Sequence, residues 1–122
     1  MLEGQVDRAG RPVALLRDDQ LRESLVVRIF AVVELVAIDE RDEIRVLRVD
    51  VAPDGVRNIH SHDDMQYHLF IPTSAGMRFE AEPDKPVDMA PWQAQFVKGG
   101  TKHGFRNTGK STVTIVEIFV KK

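Results

Sequence analysis

The stretch NIHSHDDMQYHLF, residues 58–70, contains three of the four histidines in the chain. His60 and His62 are two residues apart, and His68 follows an Asp-Asp pair. Residues two apart on a β-strand project from the same face, so the Cα atoms of the first pair would lie roughly 7 Å apart. That separation lets two imidazoles bind one ion. The stretch therefore predicts a metal site, with histidines that lie in a surface loop or cap backbone groups as the alternative.

The sequence on either side of this stretch is typical of short β-strands. Turn clusters separate segments rich in β-branched and aromatic residues. The segments are predicted at 44–51, 56–62, 66–71, 77–81, 93–97, 105–107 and 112–120. Many short strands with almost no helix predict an all-β sandwich or barrel, of which the jelly roll is one form. At 122 residues, the whole chain 1–122 is expected to form a single domain.

The N-terminal third gives weaker signals. Residues 1–11 are expected to be a flexible tail, followed by a short strand at 13–17 and a helical turn at 18–24. Apolar residues then alternate from Val26 to Ala37, which predicts one half-buried strand. A helix from Leu21 to Val36 is the alternative, although the density of valine and isoleucine disfavours it.

Composition narrows the possible classes of function. A formal net charge of −2 at pH 7 and a pI of about 6.1 argue against nucleic acid as the main partner. The longest apolar stretch contains charged residues and is too short to span a bilayer, and the first ten residues do not resemble a signal peptide. We therefore expect a soluble cytoplasmic protein. The chain has no cysteine, so a metal would need imidazole, amide or carboxylate ligands.

Two motifs resemble those of the cupin superfamily. HSHDDMQ, residues 60–66, is similar to the first cupin motif, and GGTKHGFRN, residues 99–107, is similar to the second. The resemblance covers roughly residues 44–120 and implies a cupin-type jelly-roll barrel. It also implies that one divalent metal ion is bound by His60, His62, Gln66 and His103.

The chain departs from the family pattern at several positions. Gln66 replaces the glutamate of the first motif, and Gly55 lies one residue later than the expected glycine. Thr73, Trp92 and Lys98 occupy positions where the motifs have glycine or proline. Most of these changes affect turns more than ligands, so the implied site is kept.

The glutamine has a chemical consequence. An amide oxygen can bind a metal but adds no charge, so the set of three imidazoles and one amide would leave the charge of the ion uncompensated. The ion would then be a stronger Lewis acid, and zinc, iron, nickel, manganese or copper would suit such ligands. His68 fits neither motif. It is expected to face inward, either as a general base beside the metal or as a packed core histidine.

These residues lead to two classes of function. The first is a metal-dependent enzyme that acts on a small polar, oxygen-rich metabolite, by isomerase or lyase chemistry or, in second place, as a dioxygenase. The second is a non-catalytic cupin that binds or senses a small molecule and has a structural metal. The resemblance also implies a homodimer.

One further motif is discounted. GFRNTGKS, residues 104–111, matches the phosphate-binding P-loop pattern. A P-loop must lead into a helix, whose N-terminus receives the phosphates. The residues that follow here predict a strand, so NTGK, residues 107–110, is interpreted as the turn that joins the last two strands.

Overall fold

The computed structural model describes residues 33–122 in full, together with the backbone of three short strands before them. These residues contain no helix, and their regular secondary structure consists of β-strands joined by turns and loops. The strands are β1 (Gln5–Val6), β2 (Pro12–Val13), β3 (Val26–Ile29), β4 (Val33–Glu40), β5 (Ile44–Val51), β6 (Val56–His60), β7 (Met65–Pro72), β8 (Met77–Ala81), β9 (Val87–Asp88), β10 (Gln95–Lys98), β11 (His103–Asn107) and β12 (Val113–Lys121).

The strands form two antiparallel sheets. The larger has the order β10-β7-β12-β5-β4-β3-β1-β2, and the smaller has the order β6-β11-β8-β9. Phe70 on the larger sheet packs on Phe79 and Phe105 of the smaller, with ring centroids 5.0 and 5.1 Å apart. The two sheets therefore enclose one core between them, and the prediction of an all-β jelly roll is confirmed.

Alternation along the strands builds this core. On β12 the residues Val113, Ile115, Glu117 and Phe119 are buried, and those between them are partly exposed. Side chains of successive residues point to opposite faces, so this strand turns one full set of side chains inward. The buried apolar residues are Val33, Leu35, Leu47, Val49, Val51, Met65, Phe70, Met77, Phe79, Met89, Val97, Phe105, Val113, Ile115 and Phe119.

The structure corrects the prediction for the N-terminal third. The single strand expected from Val26 to Ala37 is wrong, because β3 and β4 are separate strands that pair antiparallel, with Ile29 opposite Val33. The apolar alternation continues across the reversal without glycine, proline or asparagine, so the sequence contains no turn signal there. The alternative helix is also wrong where β3 and β4 replace it. The helical turn predicted at 18–24 and most of the tail lie outside the described residues.

Two strand irregularities affect the barrel near its histidines. On β6, Arg57 pairs with Phe105 and His60 pairs with His103, so three steps along β6 match two steps along β11. On β7, Met65 pairs with Lys121 and Tyr67 pairs with Val120. Gln66, which lies between them, therefore has no partner on β12. Each irregularity is a β-bulge, which inserts one unpaired residue and changes the face that the neighbouring side chains use.

The turn between β11 and β12 is held by Asn107. Its buried side chain donates to the carbonyls of Val51 and Ser111, at 2.9 and 2.8 Å, and accepts a hydrogen bond from Gly109 at 2.9 Å. The segment that matches a P-loop therefore leads into β12 and not into a helix. The interpretation of NTGK as the turn that joins the last two strands is confirmed.

Candidate metal centre

Three histidines converge inside the barrel. His60 ends β6 and lies opposite His103, the first residue of β11, while His62 follows β6 by two residues. The rings of the cross-strand pair are 4.4 Å apart between centroids. One nitrogen from each of the three imidazoles lies within 4.8 Å of the others. We call this cluster the histidine triad.

Hydrogen bonds fix the tautomers of two of these rings. Nδ1 of His60 lies 2.7 Å from the carbonyl of Asn58, and Nδ1 of His103 lies 2.8 Å from the carbonyl of Thr101. A carbonyl can only accept, so each Nδ1 carries the proton. In each neutral ring Nε2 therefore has no proton, and its lone pair is available to bind a metal.

The free nitrogens fit a divalent cation. Nε2 of His103 is buried and has no hydrogen-bond partner among the described residues. Nε2 of His60 lies 3.1 Å from Nε2 of His62, so these two atoms must share either a proton or a cation.

The environment keeps the triad uncharged near neutral pH. Burial is the main cause that lowers the pKa of His60, to about 4, and the charge of Arg57 lowers it further. Burial also lowers the pKa of His62, to about 2, with repulsion from the other three imidazoles. The pKa of His103 is lowered for the same first reason. Neutral rings are the state that a metal requires.

His68 faces the interior as predicted, beside a carboxylate that sequence reasoning missed. The side chains of His68 and Glu117 are only 2% and 7% exposed, and His68 Nε2 lies 3.2 Å from Glu117 Oε2. The two atoms are close, but their relative orientation does not meet the criteria for a hydrogen bond. The His68 ring stacks on Phe119, at 4.5 Å between centroids, and lies 5.0 Å from the ring of His103.

Glu117 remains ionised in this setting. Burial opposes its ionisation, but the contact with His68 and the fields of His103 and His60 outweigh burial and lower the pKa of the carboxyl. A buried pair of ionisable residues, His68 and Glu117, therefore faces the triad from the opposite sheet. The sequence signal for Glu117 is a lone acid in the apolar strand TVTIVEIFV.

The structure differs from the prediction at Gln66. Its side chain is exposed, and its amide nitrogen donates to the carbonyl of Lys121 at 2.9 Å. The expectation that it shares the inner face with His68 assumed a regular strand, and the bulge on β7 breaks that period. The structure therefore brings together four of the five predicted site residues and leaves Gln66 outside the cluster.

Other residues near the motifs are solvent-facing. Asp63 and Asp64 are exposed, and Phe96 is 56% exposed with its ring 5.0 Å from that of Tyr67. A cluster of basic residues on β10, β11 and the adjoining turns is also exposed. Its members are Lys98, Lys102, Arg106 and Lys110.

The lowered pKa values predict that the metal-free protein is sensitive to acid. Between pH 6.5 and about 4, the unfolded chain binds a proton at His60 that the folded chain does not bind. Unfolding is therefore favoured as the pH falls through this window. Urea denaturation of chelator-treated protein across the window should show a falling free energy of unfolding, with a shallower fall for His60→Gln. Equal slopes for both proteins would contradict the prediction.

No protein-family model matches the chain, and no curated protein matches it. Solved structures do. A cupin superfamily protein of Desulfitobacterium hafniense is 12% identical and has a TM-score of 0.65, covering 74% of this chain and 78% of that one. A predicted oxalate decarboxylase of Thermotoga maritima is 17% identical with a TM-score of 0.67, covering 74% and 81%. The polyketide cyclase RemF of Streptomyces resistomycificus is 17% identical with a TM-score of 0.64, covering 74% and 66%.

These likenesses identify the architecture. The chain has the cupin fold, as its two histidine motifs predicted. The described residues contain no helix with the length and apolar character needed to cross a membrane.

Proposed function

We propose that this protein is a metal-dependent enzyme that acts on a small polar, oxygen-rich metabolite. The divalent ion would be held by His60, His62 and His103. The observation that carries this proposal is the convergence of imidazole nitrogens whose opposite ring nitrogens already donate to backbone carbonyls. The buried, unprotonated Nε2 of His103 has no hydrogen-bond partner among the described residues, which is costly, and a bound cation would satisfy it.

The number of protein ligands favours catalysis over a structural role. Structural sites usually surround the ion with four protein ligands, whereas catalytic sites keep a position open for water or substrate. The triad supplies three. The solved structures with the same fold include a protein named as a predicted decarboxylase and one named as a cyclase, which supports an enzymatic role.

The chain's own residues can handle a proton beside the triad. A bound divalent ion would act as a Lewis acid toward a substrate oxygen. His68 lies against the triad and can accept or return a proton on the substrate side, and its Nε2 lies 3.2 Å from Oε2 of Glu117. This arrangement suits isomerase or lyase chemistry. A dioxygenase would use the same ligands with iron.

The proposal is tested by metal content and proton exchange. The purified protein should retain close to one divalent ion per chain. With that metal, it should exchange the α-proton of some members of a panel of hydroxy acids, keto acids and sugar acids for deuterium in D₂O, followed by NMR. Oxygen uptake with bound iron would instead indicate a dioxygenase. An ion that retains no exchangeable water, or no ion at all, would overturn the enzymatic proposal in favour of a binding module.

The assembly and the compartment stay predictions. We expect two copies to pair through their sheets in solution and the protein to reside in the cytoplasm. A strictly monomeric sedimentation profile at micromolar concentration would contradict the first expectation.

A further inference from the structure

Arg57 is turned toward the barrel interior by the bulge on β6. It pairs with Phe105, which is 3% exposed and lies in the core, while Val56 pairs with the exposed Arg106. Paired residues on neighbouring strands share a face of the sheet, so the side chain of Arg57 leaves the backbone on the inner face. His60, three residues later, uses that face as well. Without the bulge, spacing of three would place the two side chains on opposite faces.

The bulge is tightly packed against β11. A Cβ atom added to Gly104 would lie 2.5 Å from the carbonyl oxygen of Arg57 and 3.1 Å from the carbonyl carbon of Asn58. Only a residue without a side chain allows β6 to approach this closely. The orientation of Arg57 is therefore fixed by backbone packing and does not depend on a flexible surface loop.

Arg57 lies near the triad. Arg57 is half-buried, and its cross-strand partner Phe105 lies two residues from His103 on β11. The basic residues on β10 and β11 are exposed, so Arg57 differs from them in both burial and proximity to the triad.

We infer that Arg57 binds the carboxylate of a small substrate acid and so selects carboxylic acids over neutral analogues. A guanidinium presents a planar fork of N–H donors that matches both oxygens of a carboxylate. Three neutral imidazoles leave the charge of a bound ion uncompensated, which adds to the attraction for an anion. The inference rests on the proposed function for the reacting end of the substrate, and it names the substrate class.

Glycolate and glycolamide provide a matched pair of probes. They have the same shape and hydroxyl group, but only glycolate has a carboxylate. Each is titrated into the full-length protein, metal-loaded and chelator-treated, and the dissociation constants are read from NMR shifts of the histidine rings. Arg57→Gln should weaken glycolate binding by about tenfold or more in both forms, since a charge-assisted bidentate contact is lost. Glycolamide binding should stay the same.

Two variants control the test. Arg106→Gln removes the same charge from the outer face, one register position away, and should leave the binding of both probes unchanged. Arg57→Lys keeps the charge but loses the fork, and should weaken glycolate binding severalfold. It also decides the outcome if Arg57→Gln does not fold.

Unchanged glycolate binding in Arg57→Gln or, where that variant does not fold, in Arg57→Lys would overturn the inference. An equal loss in Arg106→Gln would also overturn it, because net charge alone would then explain the effect. Failure of the proposed function is distinguishable. A protein that binds no metal would still show the preference for glycolate in its chelator-treated form if Arg57 has this role.

Discussion

Replacing His103 with alanine is expected to lower the affinity for a divalent metal by about 100-fold or more. The loss of a group that only orients a ligand typically costs 10- to 100-fold in metal affinity, and here the ligand itself is lost. His103 is the only member of the triad that β11 provides. Its ring is also oriented in advance by donation from Nδ1 to the carbonyl of Thr101.

Gln66→Ala is the matched control for this experiment. Gln66 belongs to the family ligand set by position, but its exposed amide is bonded to the Lys121 carbonyl. Its removal should change metal affinity by less than about twofold. Metal stoichiometry is measured for both variants after dialysis against the same chelator, with circular dichroism to confirm the fold. If Gln66→Ala lost the metal and His103→Ala kept it, the triad would be the wrong ligand set.

The sequence was sufficient to predict the three triad histidines. Two of them lie two residues apart near the end of one strand, and His103 begins a strand that the turn cluster KGGTK precedes. Strand alternation and turn chemistry act locally, so they can be read from a single sequence. The pairing of β6 with β11 is not local. Only the resemblance between the two motifs and the cupin pattern linked these histidines before the structure did.

The two bulges account for what the sequence could not show. On a regular strand, alternation would place Gln66 on the inner face with His68. It would place Arg57 on the outer face if His60 lies on the inner one. Each extra residue on a strand reverses one of these assignments. A bulge is stabilised by contacts with the neighbouring strand, such as the close approach of Gly104 to Arg57. Those contacts have no signature within the bulged segment itself.

Glu117 was missed for a different reason. Both faces of β12 are largely apolar, with Val113, Ile115 and Phe119 on one side and valine or isoleucine on much of the other. Alternation alone could therefore not show which face was buried. The acid lies inside because His68 on the neighbouring strand lies close enough to pair with it. That partner is known only from the structure.

The buried pair of His68 and Glu117 is expected to show strong energetic coupling. Glu117→Leu removes the carboxylate beside His68 Nε2, and His68→Phe leaves the carboxylate buried without its partner. Removal of the partner of a buried polar group costs about 1–3 kcal/mol, and more where the group left behind is charged. Each single variant should therefore lower the free energy of unfolding by an amount of that order. Urea denaturation of chelator-treated protein measures both.

The double variant shows whether the pair serves stability or chemistry. Replacement of both members of a buried polar pair by apolar residues of similar shape can leave stability nearly unchanged, since no polar group is then left without a partner. His68→Phe with Glu117→Leu should therefore regain most of the stability that either single variant loses, while retaining the metal and losing any proton exchange. A coupling energy below about 0.5 kcal/mol would show that the two residues do not act as a unit. Full exchange activity in the double variant would remove His68 from the proposed chemistry, because the chain would then move the proton without it.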